Sequence, residues 1–509
     1  MKVNAVRIAF LVAIALTPIV DSPARGQANF DDDRVMLQGF YWESYRHGDS
    51  KFPQFGTKKW YQLVKEQAGM IRDGRFDLLW LPPPCYAGDR SAGYNPKRYW
   101  KLDNSYGDFA LHRAMLEELL QKGIEPVADL VLNHRDGDTS WADFQEPAWD
   151  TTAICGDDEA FSSPDSPIKN TPKEKRGAEE ELALPYAPLR GKTYDYPSFR
   201  DLDHTNKQVR RDILRYMLQL KSAGYGGWRY DMVHGYHARW IALYNKRTQP
   251  TFSVGEYDWN KHGEQRGWMW ATAISPGVPN PDHLRTSSCV FDFSTQFALK
   301  DNKGKYRNWF GLDNGLGMMG DNTDGQPWKQ RAVTFLENHD TGYRTDEDGN
   351  PEKGHEFDSF ANNWEVEQGY AYILTHPGLP CVYWKHYFDW GARLRKRIQD
   401  LVNARKVAGV HAGSTLYVQN NAKDKAAYAA RIVGKKGDLY VRIGGTDDSW
   451  QPSASGYQNY REYAQGEGWK VWVGLPDNPE VQQAKRRDPM VAPAFQAGPS
   501  IDVPDDWLN

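Results

Sequence analysis

Eight short runs of apolar and β-type residues alternate with charged, amphipathic stretches along most of this 509-residue chain. The runs fall at 35–42, 76–82, 124–132, 227–233, 251–257, 288–293, 331–336 and 378–384. Strands that alternate with helices favour a parallel sheet. Eight such strands predict an α/β fold built on a (β/α)8 barrel, with a doubly wound open sheet as the alternative.

Three carboxylates favour the barrel over the open sheet. Asp231, Glu256 and Asp340 each stand in a compact polar motif that follows an apolar run. Any one of them, taken alone, is more often a helix cap or a surface residue. The C-terminal ends of barrel strands, however, meet at one mouth, where the active sites of such barrels lie. An open sheet would not gather acids from several strand ends around one mouth.

The alternation of strands and helices is interrupted once and stops before the C-terminus. Residues 135–204 are rich in Asp, Pro, Gly and Ser, and they far exceed the ~2–6 residues of an ordinary βα loop. We therefore predict an inserted subdomain at 135–204 in a barrel formed by 29–134 and 205–412. Short alternating strands at 415–418, 427–432, 439–443 and 470–473 predict an antiparallel β domain over 413–474. Residues 475–509 are predicted to form an irregular tail.

Residues 1–28 have the features of a secretory signal peptide. Lys2 and Arg7 precede an apolar stretch at 8–20, and small residues lead to a cleavage site after Ala28. The apolar stretch is too short to cross a bilayer core of ~30 Å. We predict a secreted or periplasmic protein with no membrane partner.

Charge and cysteine content narrow the remaining classes. The net charge of −4 gives no electrostatic case for nucleic acid, so we expect none as a partner. We also expect a monomer. The chain has no CxxC or HExxH zinc pattern. Cys289 and Cys381 stand in apolar runs that favour buried thiols, whereas a disulfide between Cys85 and Cys155 is left open.

The neighbours of the acids are those that hydrolysis of a glycosidic bond requires. That reaction needs one ionised carboxyl near the anomeric carbon and one protonated carboxyl at the leaving oxygen. Arg229, on the same strand face as Asp231, would lower the pKa of that carboxyl and keep it ionised. Tyr257 and Trp259 flank Glu256 and favour a desolvated carboxyl with a raised pKa.

Four ordered motifs resemble those of the α-amylase family. They are 129–134 (DLVLNH), 227–231 (GWRYD), 254–256 (VGE) and 335–340 (FLENHD), and 93–96 (GYNP) fits the same pattern. The resemblance covers residues 35–474, and TFLENHDTGY and AYILTHPGLPCVYWKHYFDWG are most similar to the maltotetraose-forming amylases of bacteria. It implies retaining hydrolysis of α-1,4-glucans, with a polysaccharide or maltooligosaccharide as substrate.

The resemblance implies a role for each matched residue. Asp231 matches the nucleophile, Glu256 the general acid/base and Asp340 the acid that stabilises the transition state. The residues implied to hold the substrate or orient the acids are Tyr94, His134, Arg229, His234 and His339. His234 stands where relatives often carry Lys or Arg, so binding on the leaving-group side is expected to be weaker and to depend on pH.

A structural calcium ion is the cofactor that the resemblance implies, where the inserted subdomain meets the barrel. Asn133 and Asp201 match ligands of the family, Asp195 is a further candidate, and Gly235 stands where relatives supply a backbone carbonyl. Such oxygen donors suit calcium. Ordinary loop capping is the alternative for the two aspartates.

The motifs leave three questions about function open. The same carboxylates serve a hydrolase and a transglycosylase, and an inactive glucan-binding protein could keep the scaffold. Endo or exo action and the product length depend on loops, although the resemblance favours maltotetraose. Retention itself predicts a separation of ~5–5.5 Å between the carboxyls of Asp231 and Glu256.

Overall fold

The computed structural model describes residues 31–179, 181, 199–257, 262–274, 282–312, 327–446, 450–452, 460–474 and 487–509. The predicted signal peptide, Asp195 and Trp259 lie outside these ranges.

The strands, in chain order, are β1 Met36–Gln38, β2 Leu78–Leu81, β3 Glu125–Leu130, β4 His134–Arg135, β5 Arg200–Asp201, β6 Gly227–Tyr230, β7 Phe252–Gly255, β8 Cys289–Phe291, β9 Ala332–Thr334, β10 Leu379–Tyr383, β11 Thr415–Val418, β12 Ala427–Val433, β13 Asp438–Gly444, β14 Tyr460–Gly466 and β15 Trp469–Gly474. The helices are α1 Trp60–Asp73, α2 Phe109–Gln121, α3 Lys207–Ala223, α4 Ala238–Thr248, α5 His262–Ala271, α6 Asp282–Arg285, α7 Phe293–Asp301, α8 Tyr306–Trp309, α9 Asn363–Thr375 and α10 Ala392–Ala408.

Eight of these strands close into a parallel barrel, so the predicted fold class is confirmed. The order around the barrel is β1-β2-β3-β6-β7-β8-β9-β10, and each strand lies inside one of the eight apolar runs. These runs are apolar because every barrel-strand residue is buried, between the interior on one face and the helices on the other. The register places Asp129 of β3 opposite Arg229 of β6, and Arg229 opposite Val254 of β7.

The long segment between β3 and β6 begins and ends in a short antiparallel pair. His134 of β4 pairs with Asp201 of β5, and Arg135 pairs with Arg200. The described residues between these strands form 3-10 turns at Thr151–Ala153, Glu159–Phe161 and Lys173–Lys175. This pair brings Asn133 and Asp201, far apart in sequence, to one place above the barrel.

The C-terminal part of the barrel chain leads into a five-stranded antiparallel sheet of order β11-β12-β13-β15-β14. The antiparallel β domain was predicted, and its strands β11, β12, β13 and β15 fall where the alternation indicated. Strand β14 was missed because it lies at the edge of the sheet and its side chains are largely half-buried or exposed. An edge strand of this kind carries no strong apolar alternation.

Residues 487–509 form no strand or long helix, yet they pack against the outer helices of the barrel. The backbone N–H of Met490 donates to the carbonyl of Leu120, and Arg210 donates to the carbonyl of Leu508 at 2.9 Å. Leu508 is fully buried. The irregular tail is therefore attached to α2 and α3 over its described length.

The four cysteines are all among the described residues, and they are buried thiols that form no disulfide. The open question of a Cys85–Cys155 bridge is thus answered against the bridge. In the part of the chain that the structure describes, no helix combines the length and apolar character needed to cross a bilayer.

Candidate active site

The three acids follow barrel strands at their C-terminal ends. Asp231 comes directly after β6 and Glu256 directly after β7, while Asp340 stands in the loop that follows β9. Asp231 and Glu256 are 7% and 9% exposed, whereas the side chain of Asp340 is 41% exposed. Two carboxyls thus lie deep in the mouth and the third faces the opening.

One guanidinium connects the deep carboxyls. Nη1 of Arg229 lies 2.6 Å from Asp231 and 2.7 Å from Asp129, and Nη2 lies 2.7 Å from Glu256. Arg229 is itself fully buried and stacks on the ring of Trp80 at 4.9 Å. The arginine therefore fixes the positions of three carboxyls, of which the sequence analysis paired only Asp231 with it.

The protonation of this cluster differs from the sequence expectation. Burial raises the pKa of Asp231 well above its ordinary value, with Arg229 opposing and the carboxyls of Glu256 and Asp129 adding to the rise. Burial likewise raises the pKa of Asp129 to about 6, again against Arg229. Arg229 lowers the pKa of Asp231 as expected, but the net shift is upward, so the expectation that this pKa lies below its ordinary value is wrong. One guanidinium does not offset burial together with two neighbouring carboxyls.

Asp340 is held from two sides. Its Oδ2 lies 3.1 Å from Nε2 of His339, and its Oδ1 lies 3.3 Å from Nη1 of Arg344. The side-chain amide of Gln38 lies 2.9 Å from Nδ1 of His339. Because burial lowers the pKa of His339 well below its ordinary value, the ring is neutral. A proton on Nε2 satisfies both contacts, since Gln38 then donates to Nδ1 and His339 donates to Asp340.

Aromatic rings form a wall beside the acids. The ring of Tyr94 is parallel to that of His339 at 5.0 Å and to that of Trp42 at 5.9 Å. The Tyr94 hydroxyl donates to Asp129 at 2.9 Å, which ties the wall to the carboxyl cluster. Arg344 covers the Trp42 ring, with its guanidinium carbon 4.1 Å from the ring centroid. Flat, partly exposed rings of this kind suit the apolar face of a sugar.

The two remaining predicted binding histidines also lie near the mouth. His134 stacks on Phe199 at 5.2 Å, and its Nε2 lies 2.8 Å from the Tyr94 carbonyl. His234 is 7% exposed, in the turn that follows Asp231. Burial lowers the pKa of both rings to about 4. Each is therefore neutral near pH 7 and can exchange hydrogen bonds with hydroxyl groups.

Sequence reasoning missed four residues of this site: Gln38, Trp42, Asp129 and Arg344. Asp129 and Trp42 had a usable signal, because Asp129 stands in the 129–134 motif and Trp42 is the last residue of the first apolar run. Gln38 and Arg344 had none, since their contacts with residues 339 and 340 arise only on folding.

Asn133, Asp201 and Gly235, the described candidates for calcium, come together beside the inserted segment. They line one small cavity of about 10 Å³, which is room for a single water or ion. The buried Asn133 Oδ1 accepts no hydrogen bond from the described residues. A Cβ at position 235 would lie 1.9 Å from that oxygen, so only glycine leaves this space open. An oxygen without a donor beside a carboxylate and a backbone carbonyl fits calcium.

A second group of acids lies close by but already has a counter-cation. Oxygens of Asp158, Glu159 and Asp201 approach within 4.8 Å of one another. Arg200 pairs with both Asp158 and Glu159 at 2.9 Å. The arginine supplies positive charge to these two carboxylates, so the candidate calcium position is the Asn133 side of Asp201.

Comparison with known proteins agrees with this geometry. Residues 64–265 match the family described as "Alpha amylase, catalytic domain", and residues 407–473 match "Alpha-amylase C-terminal beta-sheet domain". The chain belongs to the α-amylase family of glycoside hydrolases. Its C-terminal match coincides with the antiparallel sheet, and its catalytic match includes Tyr94, Arg229, Asp231 and Glu256.

Individual relatives of this α-amylase family member come from plants and bacteria. The chain is 29% identical over 472 residues to "Probable alpha-amylase 2" of Arabidopsis thaliana, covering 88% of this chain and 95% of the relative. It is 26% identical over 438 residues to "Glucan 1,4-alpha-maltotetraohydrolase" of Stutzerimonas stutzeri, covering 81% and 68%. The predicted resemblance to the family and to its maltotetraose-forming members is confirmed. The fold is similar to an Anoxybacillus α-amylase structure, with TM-score 0.60, 13% identity and coverage of 89% and 100%.

Proposed function

We propose that this protein hydrolyses α-1,4-glucosidic bonds of starch and related glucans with retention of the anomeric configuration. The observation that carries the proposal is the placement of Asp231 and Glu256 on adjacent nitrogens of Arg229 at the barrel mouth. Two carboxyls held on one guanidinium suit a mechanism in which no water stands between nucleophile and sugar.

In this mechanism an oxygen of ionised Asp231 attacks the anomeric carbon while the glycosidic C–O bond breaks. Glu256 donates its proton to the departing oxygen. Glu256 then takes a proton from water, the water oxygen attacks the anomeric carbon, and the bond to Asp231 breaks. Asp340, held by His339, faces the developing positive charge on the ring. Burial and mutual repulsion raise the pKa of Asp231 and Asp129, and Arg229 opposes that rise, which favours the ionised Asp231 that the first step needs.

The assignment of Glu256 is tested with Glu256→Gln. Release of reducing ends from soluble starch is expected to fall by ~10²–10⁴-fold, the range that general acid–base catalysis contributes, with an unchanged unfolding midpoint. Glu117→Gln on α2 is the matched control, since Glu117 pairs only with Arg113 in the described contacts. Activity near the wild-type level in Glu256→Gln would reject the assignment.

Retention is tested by proton NMR of the first product. An α-anomeric signal that appears before mutarotation is expected, and initial β-anomer would contradict the double displacement. Fragments longer than the substrate, formed from maltopentaose, would instead indicate a transglycosylase. Starch binding without turnover would indicate an inactive glucan-binding protein.

Exo action with maltotetraose as the product is the second candidate. It is supported by the similarity to the maltotetraohydrolase of Stutzerimonas stutzeri over 438 residues. Chromatography of early products from amylose separates the candidates. A narrow tetrasaccharide peak means exo action, and a broad ladder of lengths means internal cleavage.

We further propose that Asn133 Oδ1, the carboxylate of Asp201 and the carbonyl of Gly235 bind a structural calcium ion, which would join the inserted segment to the barrel.

We also propose that the protein is exported, which the N-terminal sequence supports. Detection of the protein outside the cytoplasm, with a mature N-terminus near position 29, would test it.

A further inference from the structure

A cavity of ≈ 250 Å³, called here the basal cavity, opens at the end of the barrel opposite the acids. Three of its lining residues, Asp33, Asp77 and Gly123, stand just before β1, β2 and β3. The candidate catalytic residues follow the C-terminal ends of the strands, so the basal cavity lies outside the active site.

Cationic side chains dominate the lining of the basal cavity. They are Arg72, Arg75, Lys122, Lys406, Lys436 and Arg487, against the carboxylates of Asp33 and Asp77. Two further acids, Glu118 and Glu125, pair with Lys122 at 3.2 Å and with Arg487 at 3.5 Å. The described lining therefore holds six cationic side chains and two carboxylates, and two acids outside the lining pair with Lys122 and Arg487.

Some of these cations are structural. Lys406 donates to the carbonyl of Asp33 at 2.6 Å and pairs with Asp77 at 2.6 Å, and Arg487 lies 3.5 Å from the other oxygen of Asp77. These contacts attach the end of α10 and residue 487 to the base of the barrel. They account for Lys406 and Arg487 without any ligand.

Arg72 is different. Within the described residues its guanidinium makes no ion pair, and its buried Nε donates no hydrogen bond. Among the same residues, the ammonium of Lys436, which lines the same cavity, donates only to the carbonyl of Lys406, at 3.4 Å. A buried donor left without an acceptor is unfavourable, and a bound anion would supply the acceptor.

We propose that the basal cavity binds a multivalent oxyanion of the phosphate or sulfate type, with Arg72 as its principal ligand and Lys436 as a second. Arginine suits such an anion because its planar donors match the oxygens of a tetrahedral group. The cavity has room for one small anion and not for a folded partner.

The test compares unfolding midpoints of the full-length protein at low ionic strength with inorganic sulfate, inorganic phosphate and sodium chloride of equal ionic strength. Sulfate is included because it does not sequester calcium. Both oxyanions are expected to raise the midpoint more than chloride, and titration calorimetry of sulfate should give a saturable isotherm. In Arg72→Gln the dissociation constant should rise at least ~10-fold, as expected for loss of one charge-assisted contact of ~1.5–3 kcal/mol.

Arg307→Gln is the matched control, because Arg307 is exposed on α8 and does not line the cavity. It should bind sulfate as the wild type does. The proposal is overturned if the wild type shows no effect beyond that of chloride, or if Arg72→Gln binds sulfate as tightly as Arg307→Gln. Without oxyanion, Arg72→Gln should be no less stable than the wild type, so misfolding does not confuse the result.

Discussion

Nη1 of Arg229 lies 2.6 Å from Oδ1 of Asp231, and both side chains are buried at the mouth of the barrel. The same nitrogen lies 2.7 Å from Asp129, a carboxyl that points toward the same cation from the neighbouring strand β3. The charge of Asp231 is therefore set by a balance. Burial and Asp129 favour its protonated form, and Arg229 favours its ionised form.

Arg229→Lys is expected to shift that balance toward the protonated form. A single ammonium cannot contact Asp231, Asp129 and Glu256 as the guanidinium does. Because Arg229 lowers the pKa of Asp231, its loss should move the acidic limb of kcat/KM to higher pH, with a ~10²–10³-fold fall in kcat/KM. A pH profile on a soluble maltooligosaccharide measures both effects. An unchanged acidic limb would contradict the role of Arg229.

Asp129→Asn should move the same limb in the opposite direction. The substitution removes a negative charge that raises the pKa of Asp231, so the acidic limb should move to lower pH. An asparagine oxygen can still accept from Trp80 and Tyr94, which now donate to Asp129 at 3.0 and 2.9 Å. The opposed shifts of the two variants serve as controls for each other, and a shift of equal sign would reject the charge balance.

The barrel could be predicted because its determinants are local. Each barrel strand is a short buried run, so apolar residues mark it whatever its neighbours are. The acids at positions 231 and 256 follow such runs directly, and the strand that carries each could be named. Strand β14 lacked this mark because most of its side chains are polar or charged and only one of its residues is buried.

The electrostatics of the site could not be predicted in this way. Sequence spacing placed Arg229 beside Asp231, but strand register added Asp129 and folding added burial. Those two contributions make the net pKa shift of Asp231 upward, opposite to the downward shift that Arg229 alone would give. Arg344 is a similar case, because its pairing with Asp340 depends on the path of the loop after β9.

Arg344→Gln is expected to weaken catalysis through Asp340. Arg344 lies 3.3 Å from that carboxyl and also covers Trp42, so it positions an acid and a ring at once. Since the side chain of Asp340 is 41% exposed, the ion pair is screened by solvent and the loss in kcat/KM should be about 10-fold or less. Arg344→Lys should recover part of kcat but not of KM, because lysine keeps the charge and loses the planar contact with Trp42. Equal kinetics for both variants would show a role in loop structure only.

Gly235→Ala should abolish the effect of calcium on stability. The new Cβ would lie 1.9 Å from Asn133 Oδ1 and fill the space beside the proposed ligands. The wild type should lose thermal stability on addition of EDTA and regain it with added calcium, whereas the variant should be insensitive to both. Gly263→Ala is the control, since a Cβ there meets no atom within 4 Å. EDTA sensitivity retained in Gly235→Ala would exclude this position.

His376 should make the protein sensitive to acid. Its ring is fully buried, with Nδ1 2.8 Å from the Tyr372 carbonyl and Nε2 2.6 Å from the Tyr428 hydroxyl, contacts that use the neutral form. Burial lowers the pKa of His376 from 6.5 to about 3.

The contribution of His376 to stability is therefore complete above pH 6.5, and it declines as pH falls below 6.5 because the unfolded chain takes up the proton first. Well below pH 6.5 the decline approaches ~1.4 kcal/mol per pH unit. His376→Gln cannot take up that proton, so the variant should be less stable than the wild type at pH 7.5, and the difference should narrow by pH 5. Urea unfolding of both proteins at the two pH values measures this narrowing directly, because the titration of all other groups is common to both. A difference in unfolding free energy that stays constant with pH would mean that the His376 ring is not held neutral in the folded protein.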